Sequence, residues 1–186
     1  MLRKACGDAA RWPEGIKLAV NVSPLQFKVG TLALRVAAAL AESGLAPDRL
    51  ELEITEAVLI RDDEEALSVL HQLRGLGVRI ALDDFGTGYS SLSYLQRFPF
   101  DKVKIDRSFV RDIAEAEGSS PIIEAVVHMA MARCMTTTAE GVETEAQRDI
   151  LRRLGCHEMQ GYLFSPAVPV ERLANLLSTK GSSVAA

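Results

Sequence analysis

Two adjacent aspartates, Asp83 and Asp84, are the residues whose types and spacing most directly suggest chemistry. They follow an apolar segment, Val78–Leu82, and precede the sequence Phe-Gly-Thr-Gly. Neighbouring carboxylates at the end of a buried strand repel each other and resist desolvation unless a positive charge lies between them. Hard divalent cations such as Mg²⁺ bind carboxylate oxygens, and glycine lets the backbone turn sharply beyond such a site. On its own the pair also fits a loop cap with one solvated carboxylate, so the rest of the sequence must decide.

The composition narrows the class of protein. The 186 residues, 48% of them hydrophobic, suffice for one domain with a sizeable core. A net charge of −4 argues against bulk electrostatic binding to DNA, RNA or an anionic membrane. No apolar run is long enough for a membrane span, and no signal-peptide core follows Met1, so we predict a cytoplasmic protein, with membrane anchoring of a longer parent left open. Three cysteines without Cys-x-x-Cys spacing fit reduced thiols.

Short apolar, often β-branched segments alternate with segments of helical character. This alternation predicts βα units around a parallel sheet, either open and doubly wound or closed into a barrel, and periodicity does not separate the two. The predicted strands are Lys17–Val22, Leu50–Ile54, Val78–Leu82, Lys102–Ile105, Thr136–Ala139 and Met159–Leu163. The main predicted helices are Leu2–Trp12, Thr31–Ser43, Asp63–Leu76, Ile122–Met131, one capped by Thr144 and Gln147, and one after Pro169. We expect one domain over residues 1–181 and a disordered tail over 182–186.

Polar side chains recur at the carboxyl ends of the predicted strands. In a parallel barrel these ends meet at one face, where active sites are built. The four carboxylates, the amide and the lysine among them form an oxygen-rich set suited to Mg²⁺ or Mn²⁺, with one cation available to orient a water or a phosphate. Zinc is less favoured because the three histidines are scattered along the chain. The candidates near the first five strands are Asn21, Glu53, Asp83, Asp84, Lys104 and Glu140, and Gln160 is expected inside the sixth.

Each candidate also has a structural interpretation. Asn21 could stabilise a turn with Ser23, and Glu53 could lie on the solvated face of an alternating strand. Glu140 and Glu143 could be ordinary acids near a helix N-terminus, which the helix dipole favours. If there were no functional site, all of these structural interpretations would have to hold at once. The set as a whole therefore favours a metal-binding active site.

With these residues the chain resembles the EAL family of cyclic di-GMP phosphodiesterases. Any one of the shared motifs is weak, whereas the set in this order is specific. The motifs are Asn-Val-Ser-Pro at 21–24, Glu-Leu-Glu-Ile-Thr-Glu at 51–56, Asp-Asp-Phe-Gly-Thr-Gly-Tyr-Ser-Ser-Leu at 83–92, Val-Lys-Ile-Asp at 103–106, Ala-Glu-Gly-Val-Glu at 139–143 and Gln-Gly-Tyr at 160–162.

The resemblance implies a TIM-like (β/α) barrel, here incomplete with about six of eight strands, and hydrolysis of cyclic di-GMP to linear pGpG with two Mg²⁺ or Mn²⁺ ions. It makes Lys104 the residue that hydrogen-bonds the attacking water, and gives Gln160 and Glu143 a supporting role in the water network around the metals. Glu56 would brace the loop after Asp84, which contributes to a dimer interface in the family. The implied metal ligands are Asn21, Glu53, Asp83, Asp84 and Glu140.

The resemblance also implies partners for a complete protein. These are cyclic di-GMP rather than a DNA or RNA polymer, a second copy in a homodimer, and upstream sensory or GGDEF-type domains in the parent chain.

The departure from the family lies at the N-terminus. The Glu-Ala-Leu motif that supplies another metal ligand is expected upstream of the Leu2–Trp12 helix and is absent, since Glu65-Ala66-Leu67 falls in a later predicted helix. We therefore expect a fragment with little hydrolytic activity alone. Two alternatives stay open: a non-catalytic module that binds cyclic di-GMP, and an unrelated Mg²⁺-dependent barrel.

Overall fold

The computed structural model describes residues 1–28, 30–59, 63–86, 92–111, 113, 120–170 and 172–173. Within them, six parallel strands form one sheet in chain order, so that each strand pairs with the next along the sequence. This order is that of a barrel wall rather than of a doubly wound sheet, whose strand order reverses at a switch point. The strands are β1 Leu18–Asn21, β2 Leu50–Thr55, β3 Arg79–Phe85, β4 Lys102–Ile105, β5 Thr136–Ala139 and β6 Glu158–Met159.

Helices precede the first strand and connect successive strands. The helices are α1 Leu2–Ala9, α2 Pro24–Lys28, α3 Leu32–Ser43, α4 Asp63–Gly75, α5 Leu92–Arg97, α6 Arg107–Arg111, α7 Pro121–Ala132 and α8 Glu145–Arg153, with short 3₁₀ turns at Pro47–Arg49 and Glu56–Val58. The predicted Leu2–Trp12 helix ends earlier, at Ala9, whereas the predicted helices Thr31–Ser43, Asp63–Leu76 and Ile122–Met131 match α3, α4 and α7 within one residue at each end, and the helix capped by Thr144 and Gln147 is α8. The incomplete TIM-like barrel expected from the sequence is confirmed.

Local signals account for several helix boundaries. Gly44 ends α3 in the left-handed region, with φ at 69°, where a residue with a side chain is strained. Thr144 and Gln147 form the predicted capping box at the start of α8. The buried Gln147 side chain also donates to the carbonyls of Val110 and Arg111, which ties α8 to α6. These contacts fix the loops that follow β4 and β5.

The third strand is longer than predicted. It runs on through Asp83 and Asp84 to Phe85, so the two aspartates lie within the strand rather than after it. The β3–β4 ladder pairs Leu82 with Val103 and Phe85 with Ile105, which leaves one extra residue on β3. This is a β-bulge, and Asp84 occupies it with φ at 55°.

The sixth strand is shorter than predicted. It covers only Glu158–Met159, so Gln160 follows the strand and does not lie inside it as expected. The chain turns here because Val142 takes over the pairing: its N–H donates to the Gln160 carbonyl at 3.0 Å, and its carbonyl accepts from the Leu163 N–H at 3.0 Å. The apolar Gly-Tyr-Leu-Phe sequence, which suggested a strand, forms a turn with Tyr162 74% exposed.

Two other expectations fall largely beyond the described part of the chain. The helix after Pro169 is described only at residues 170 and 172–173, and the tail at 182–186 lies outside the described residues. Among the described helices, none combines the length and apolar character needed to cross a lipid bilayer.

Candidate active site

One buried lysine organises the carboxyl ends of the central strands. Lys104, on β4, places its Nζ 2.9 Å from Glu53 Oε1 on β2, 2.9 Å from Asp83 Oδ1 on β3 and 2.7 Å from Glu140 Oε1 beyond β5. Glu53, Asp83 and Lys104 are each less than 9% exposed. Four predicted site residues from four elements are therefore brought together by direct contact.

The β-bulge explains how both adjacent aspartates join this cluster. Successive side chains of a regular strand point to opposite faces, so only one of the pair would face the interior. Because Asp84 adopts a left-handed conformation in the bulge, carboxylate oxygens of Asp83, Asp84 and Glu140 lie within 4.8 Å of one another. The Asp84 N–H also donates to Asp83 Oδ1 at 3.1 Å, which orients the Asp83 carboxylate.

The cluster carries more negative than positive charge. Burial raises the pKa of Glu53, and the neighbouring Asp83 and Glu140 raise it further against the opposing effect of Lys104. Burial and the Asp83 charge also raise the pKa of Asp84. Burial disfavours the Lys104 ammonium, but hydrogen bonds to Glu140, Asp83 and Glu53 outweigh it and raise the pKa of Lys104 above its usual value. Lys104 therefore stays protonated while its carboxylates lack sufficient counter-charge.

This donor set fits a hard divalent cation. Asp83, Asp84 and Glu140 offer oxygen ligands alone, and the one nearby ammonium cannot neutralise four carboxylates. Zinc is disfavoured, since His71 lies on α4, His128 on α7 and His157 beside Thr137 before β6. The electrostatic need and the ligand chemistry both match Mg²⁺ or Mn²⁺.

Two further candidates lie next to the cluster. Asn21 is the last residue of β1 and is the ladder partner of Glu53, so it is adjacent to the cluster across the sheet. Gln160 lines the same cavity of about 360 Å³ as Glu53 and Lys104. Gly161 keeps Gln160 close to the loop after β5, because a Cβ on Gly161 would lie only 2.2 Å from the Val142 carbonyl oxygen.

The remaining two candidates lie apart from the Lys104 contacts. Glu143 is exposed, and its N–H donates to the Gln147 side chain at 2.8 Å. Glu56 is buried in the 3₁₀ turn after β2. Its predicted role concerns the loop after Asp84, whose residues 87–91 are outside the described part of the chain.

The sequence interpretation missed a second set of charges that face the barrel interior, which we call the lower ionic layer: the buried Glu51 and Lys102, and Glu158, whose side chain is 43% exposed. Lys102 Nζ lies 2.8 Å from Glu51 Oε1 and 2.5 Å from Glu158 Oε2. Arg79 adds a longer contact to Glu51 at 3.6 Å, and Thr138 Oγ1 donates to Glu158 at 3.0 Å. Each member of the layer precedes a predicted site residue by two positions, and this repeated spacing is the signal that could have revealed it.

Comparison with known proteins places this chain in a family. A model of the EAL domain matches residues 1–167, and the chain belongs to that family. Two curated relatives from Pseudomonas aeruginosa are similar to it: the bifunctional diguanylate cyclase/cyclic di-GMP phosphodiesterase MucR, 42% identical, and the cyclic di-GMP phosphodiesterase NbdA, 41% identical. The alignments cover 93% and 95% of this chain but only 26% and 23% of those relatives.

Solved structures give the same result. The EAL domain of DcpA from Mycobacterium smegmatis superposes with a TM-score of 0.91 at 41% identity, over 96% of this chain and 82% of that one. BlrP1 from Klebsiella pneumoniae, solved as a manganese and cyclic di-GMP complex, gives a TM-score of 0.75 at 37% identity, over 88% of this chain and 42% of that one. The recognised family and the barrel fold are thereby confirmed, whereas the roles of individual site residues remain predictions.

Proposed function

We propose that this chain carries the site for metal-dependent hydrolysis of cyclic di-GMP to linear pGpG. The observation that carries the proposal is the contact of Lys104 with three carboxylates, beside the oxygen cluster of Asp83, Asp84 and Glu140. The relatives named as cyclic di-GMP phosphodiesterases, and a neighbour solved with manganese and cyclic di-GMP, support the choice of substrate and cofactor.

The residues that would hold the cations are Asn21, Glu53, Asp83, Asp84 and Glu140. Bound divalent cations would supply positive charge to a phosphodiester and to its attacking water. Without them the carboxylates repel a phosphate. The protein's own contribution is to hold these oxygens together, through the bulge at Asp84 and the ladder that joins β2, β3 and β4.

Lys104 is proposed to orient the attacking water. Since the pKa of Lys104 is raised by Glu140, Asp83 and Glu53, its Nζ keeps its protons and acts as a donor rather than as a general base. A donor at this position can fix a water by hydrogen bonding and can stabilise negative charge on the phosphate. Gln160, in the same cavity, and Glu143 are proposed to support the surrounding water network.

The whole protein's partners belong to the same proposal. We infer that cyclic di-GMP is the ligand rather than a DNA or RNA polymer, that a complete protein forms a homodimer, and that sensory or GGDEF-type domains accompany this domain. MucR, whose name includes diguanylate cyclase activity, is an example of such a combination. Glu56 is proposed to brace the loop that follows Asp84.

The test is direct hydrolysis. The purified chain is incubated with cyclic di-GMP and Mn²⁺ or Mg²⁺, pGpG is quantified by chromatography, and a Lys104→Met variant serves as the inactive control. Because this sequence lacks the Glu-Ala-Leu glutamate at its expected place, we expect turnover well below that of a complete family member, and comparable turnover would contradict this expectation. Calorimetry with cyclic di-GMP and Mn²⁺ separates weak catalysis from binding alone, and binding with no detectable pGpG would favour the non-catalytic module.

A further inference from the structure

Three alternate strands each bring two polar side chains into the barrel interior. On β2 these are Glu51 and Glu53, and on β4 they are Lys102 and Lys104. On the third, Glu158 lies in β6 and Gln160 comes directly after it. Residues two positions apart on a strand share a face, and all six residues line the same cavity. The lower ionic layer therefore lies one step below the site residues Glu53, Lys104 and Gln160.

The lower ionic layer joins strands that do not pair with each other. β2, β4 and β6 are separated in the sheet by β3 and β5, yet Lys102 contacts Glu51 on one side and Glu158 on the other. The Lys102 and Glu51 side chains are only 7% and 4% exposed, so little water screens their attraction. Lys102 also contacts Glu158, whose side chain is 43% exposed, and this contact links β4 to β6 across the interior.

This contact matters most for β6, since its ladder is short. Only two residue pairs, Thr138 with Glu158 and Ala139 with Met159, join it to β5. Gln160 begins the turn immediately beyond, where its N–H donates to the Ala139 carbonyl at 2.8 Å and its carbonyl accepts from the Val142 N–H at 3.0 Å. A shift of Glu158 would therefore move Gln160 relative to Lys104.

We propose that Lys102 is a positioning residue: by holding Glu158, it sets the place of Gln160 beside Lys104 in the site. The expected effect on catalysis rests on the proposed hydrolytic function. The expected effect on the position of Gln160 rests on the contacts alone. Lys102 itself reaches neither the oxygen cluster nor, on this proposal, the substrate.

The experiment uses Glu158→Gln, which removes the charge that Lys102 holds on β6 but leaves the Lys102–Glu51 pair intact. The Glu158 side chain is 43% exposed, so we expect the variant to fold. The matched control is Glu64→Gln, which breaks the 2.7 Å ion pair to Arg97 on helices outside the interior. Both variants are compared with the wild type by amide hydrogen exchange and by the kinetics of cyclic di-GMP hydrolysis.

In Glu158→Gln we expect exchange at the Gln160 and Val142 amides to rise at least about tenfold relative to the change in global stability. We expect kcat to fall by about 10- to 100-fold with KM nearly unchanged. Glu64→Gln should leave all of these values as in the wild type. If the wild type forms no pGpG, the proposed function fails for this chain, and exchange at Gln160 and Val142 decides the positioning role alone.

Three results would overturn the inference. The first is unchanged exchange at both amides in Glu158→Gln. The second is a uniform loss of protection or global unfolding, which would assign the layer to stability only. The third is a change in KM without a change in kcat, which would show that Gln160 is not displaced from a catalytic position.

Discussion

The two charged layers of the barrel interior use the same strands and differ in their charge balance. In the lower ionic layer, Lys102 contacts both Glu51 and Glu158, Arg79 contacts Glu51, and the charge of Lys17 also acts on Glu158, so the carboxylates are matched by cations. The upper cluster consists of Lys104 and the four carboxylates of Glu53, Asp83, Asp84 and Glu140, and among the described residues Lys104 is the one cation in contact with them. The comparison teaches that buried charge by itself does not mark a site. A cluster with an excess of carboxylates favours an external cation, whereas the carboxylates of the lower ionic layer already have cationic partners within the chain.

The largest expected effect comes from removing each layer's lysine. Lys104→Met should lower the metal-free unfolding free energy by about 3–5 kcal/mol, since it leaves the buried carboxylates of Glu53 and Asp83 without this partner. Lys102→Met should lower it less, because Glu51 keeps its contact with Arg79 and the Glu158 side chain is 43% exposed. Mn²⁺ should restore much of the lost stability of Lys104→Met, because a divalent cation can replace the missing charge there. It should restore little of the lost stability of Lys102→Met. Urea unfolding of each variant, in EDTA and then in Mn²⁺, measures the loss of unfolding free energy and its recovery. Equal recovery of the two variants would abolish the distinction between the layers.

Cation-dependent stabilisation should belong to the upper cluster alone. Mn²⁺ at about 100 times its dissociation constant should stabilise the wild type by about 2.7 kcal/mol, since it binds the folded state. Asp83→Asn should abolish this gain, whereas Glu51→Gln, two residues before Glu53, should retain it. The readout is the midpoint of thermal unfolding with and without Mn²⁺. A retained gain in Asp83→Asn would place the cation elsewhere.

The position of Gln160 beside the upper cluster should also depend on the close backbone approach at Gly161. Gly161→Ala would place a methyl group within 2.2 Å of the Val142 carbonyl oxygen, so we expect a loss of about 1–3 kcal/mol and displacement of Gln160. Gly7→Ala, where no atom lies within 4 Å of the added Cβ, is the control and should be neutral or stabilising. Denaturant unfolding of both variants tests this, and equal stabilities would contradict the close approach.

The smallest expected effect is a pH-dependent difference in the free energy of unfolding. Burial opposes the Glu158 charge, but the hydrogen bond and charge of Lys102, the hydrogen bond from Thr138 and the charge of Lys17 outweigh it and lower the pKa of Glu158. A lowered pKa adds stability above the unfolded-state pKa, and this stability is lost as the pH falls through the folded-state value. Glu158→Gln should therefore differ from the wild type near neutral pH by less than about 1 kcal/mol and converge with it in acid. Parallel stability curves across this range would show that Glu158 does not titrate against Lys102.

The sequence was sufficient for the positions of the strands and of most helices, because those depend on periodicity, and the family resemblance supplied the barrel and hence the strand order. Lys104 and its three carboxylates were all predicted to converge. The sequence was not sufficient to predict the residues at which β3 and β6 end. The end of β3 depends on the bulge at Asp84, and that of β6 on the approach of Val142 to Gly161, and neither contact leaves a local pattern. The lower ionic layer was missed because Glu51 and Lys102 were considered only as neighbours of Glu53 and Lys104.

The bulge at Asp84 makes the site depend on the number of residues in β3 as well as on their identity. With one residue fewer between Leu82 and Phe85, the ladder with β4 would become regular, and each side chain beyond the deletion would change faces. Such a chain could keep an aspartate, the lysine and every flanking motif and still lose the paired carboxylates. A relative of this domain is therefore best judged competent or not by counting residues along this strand.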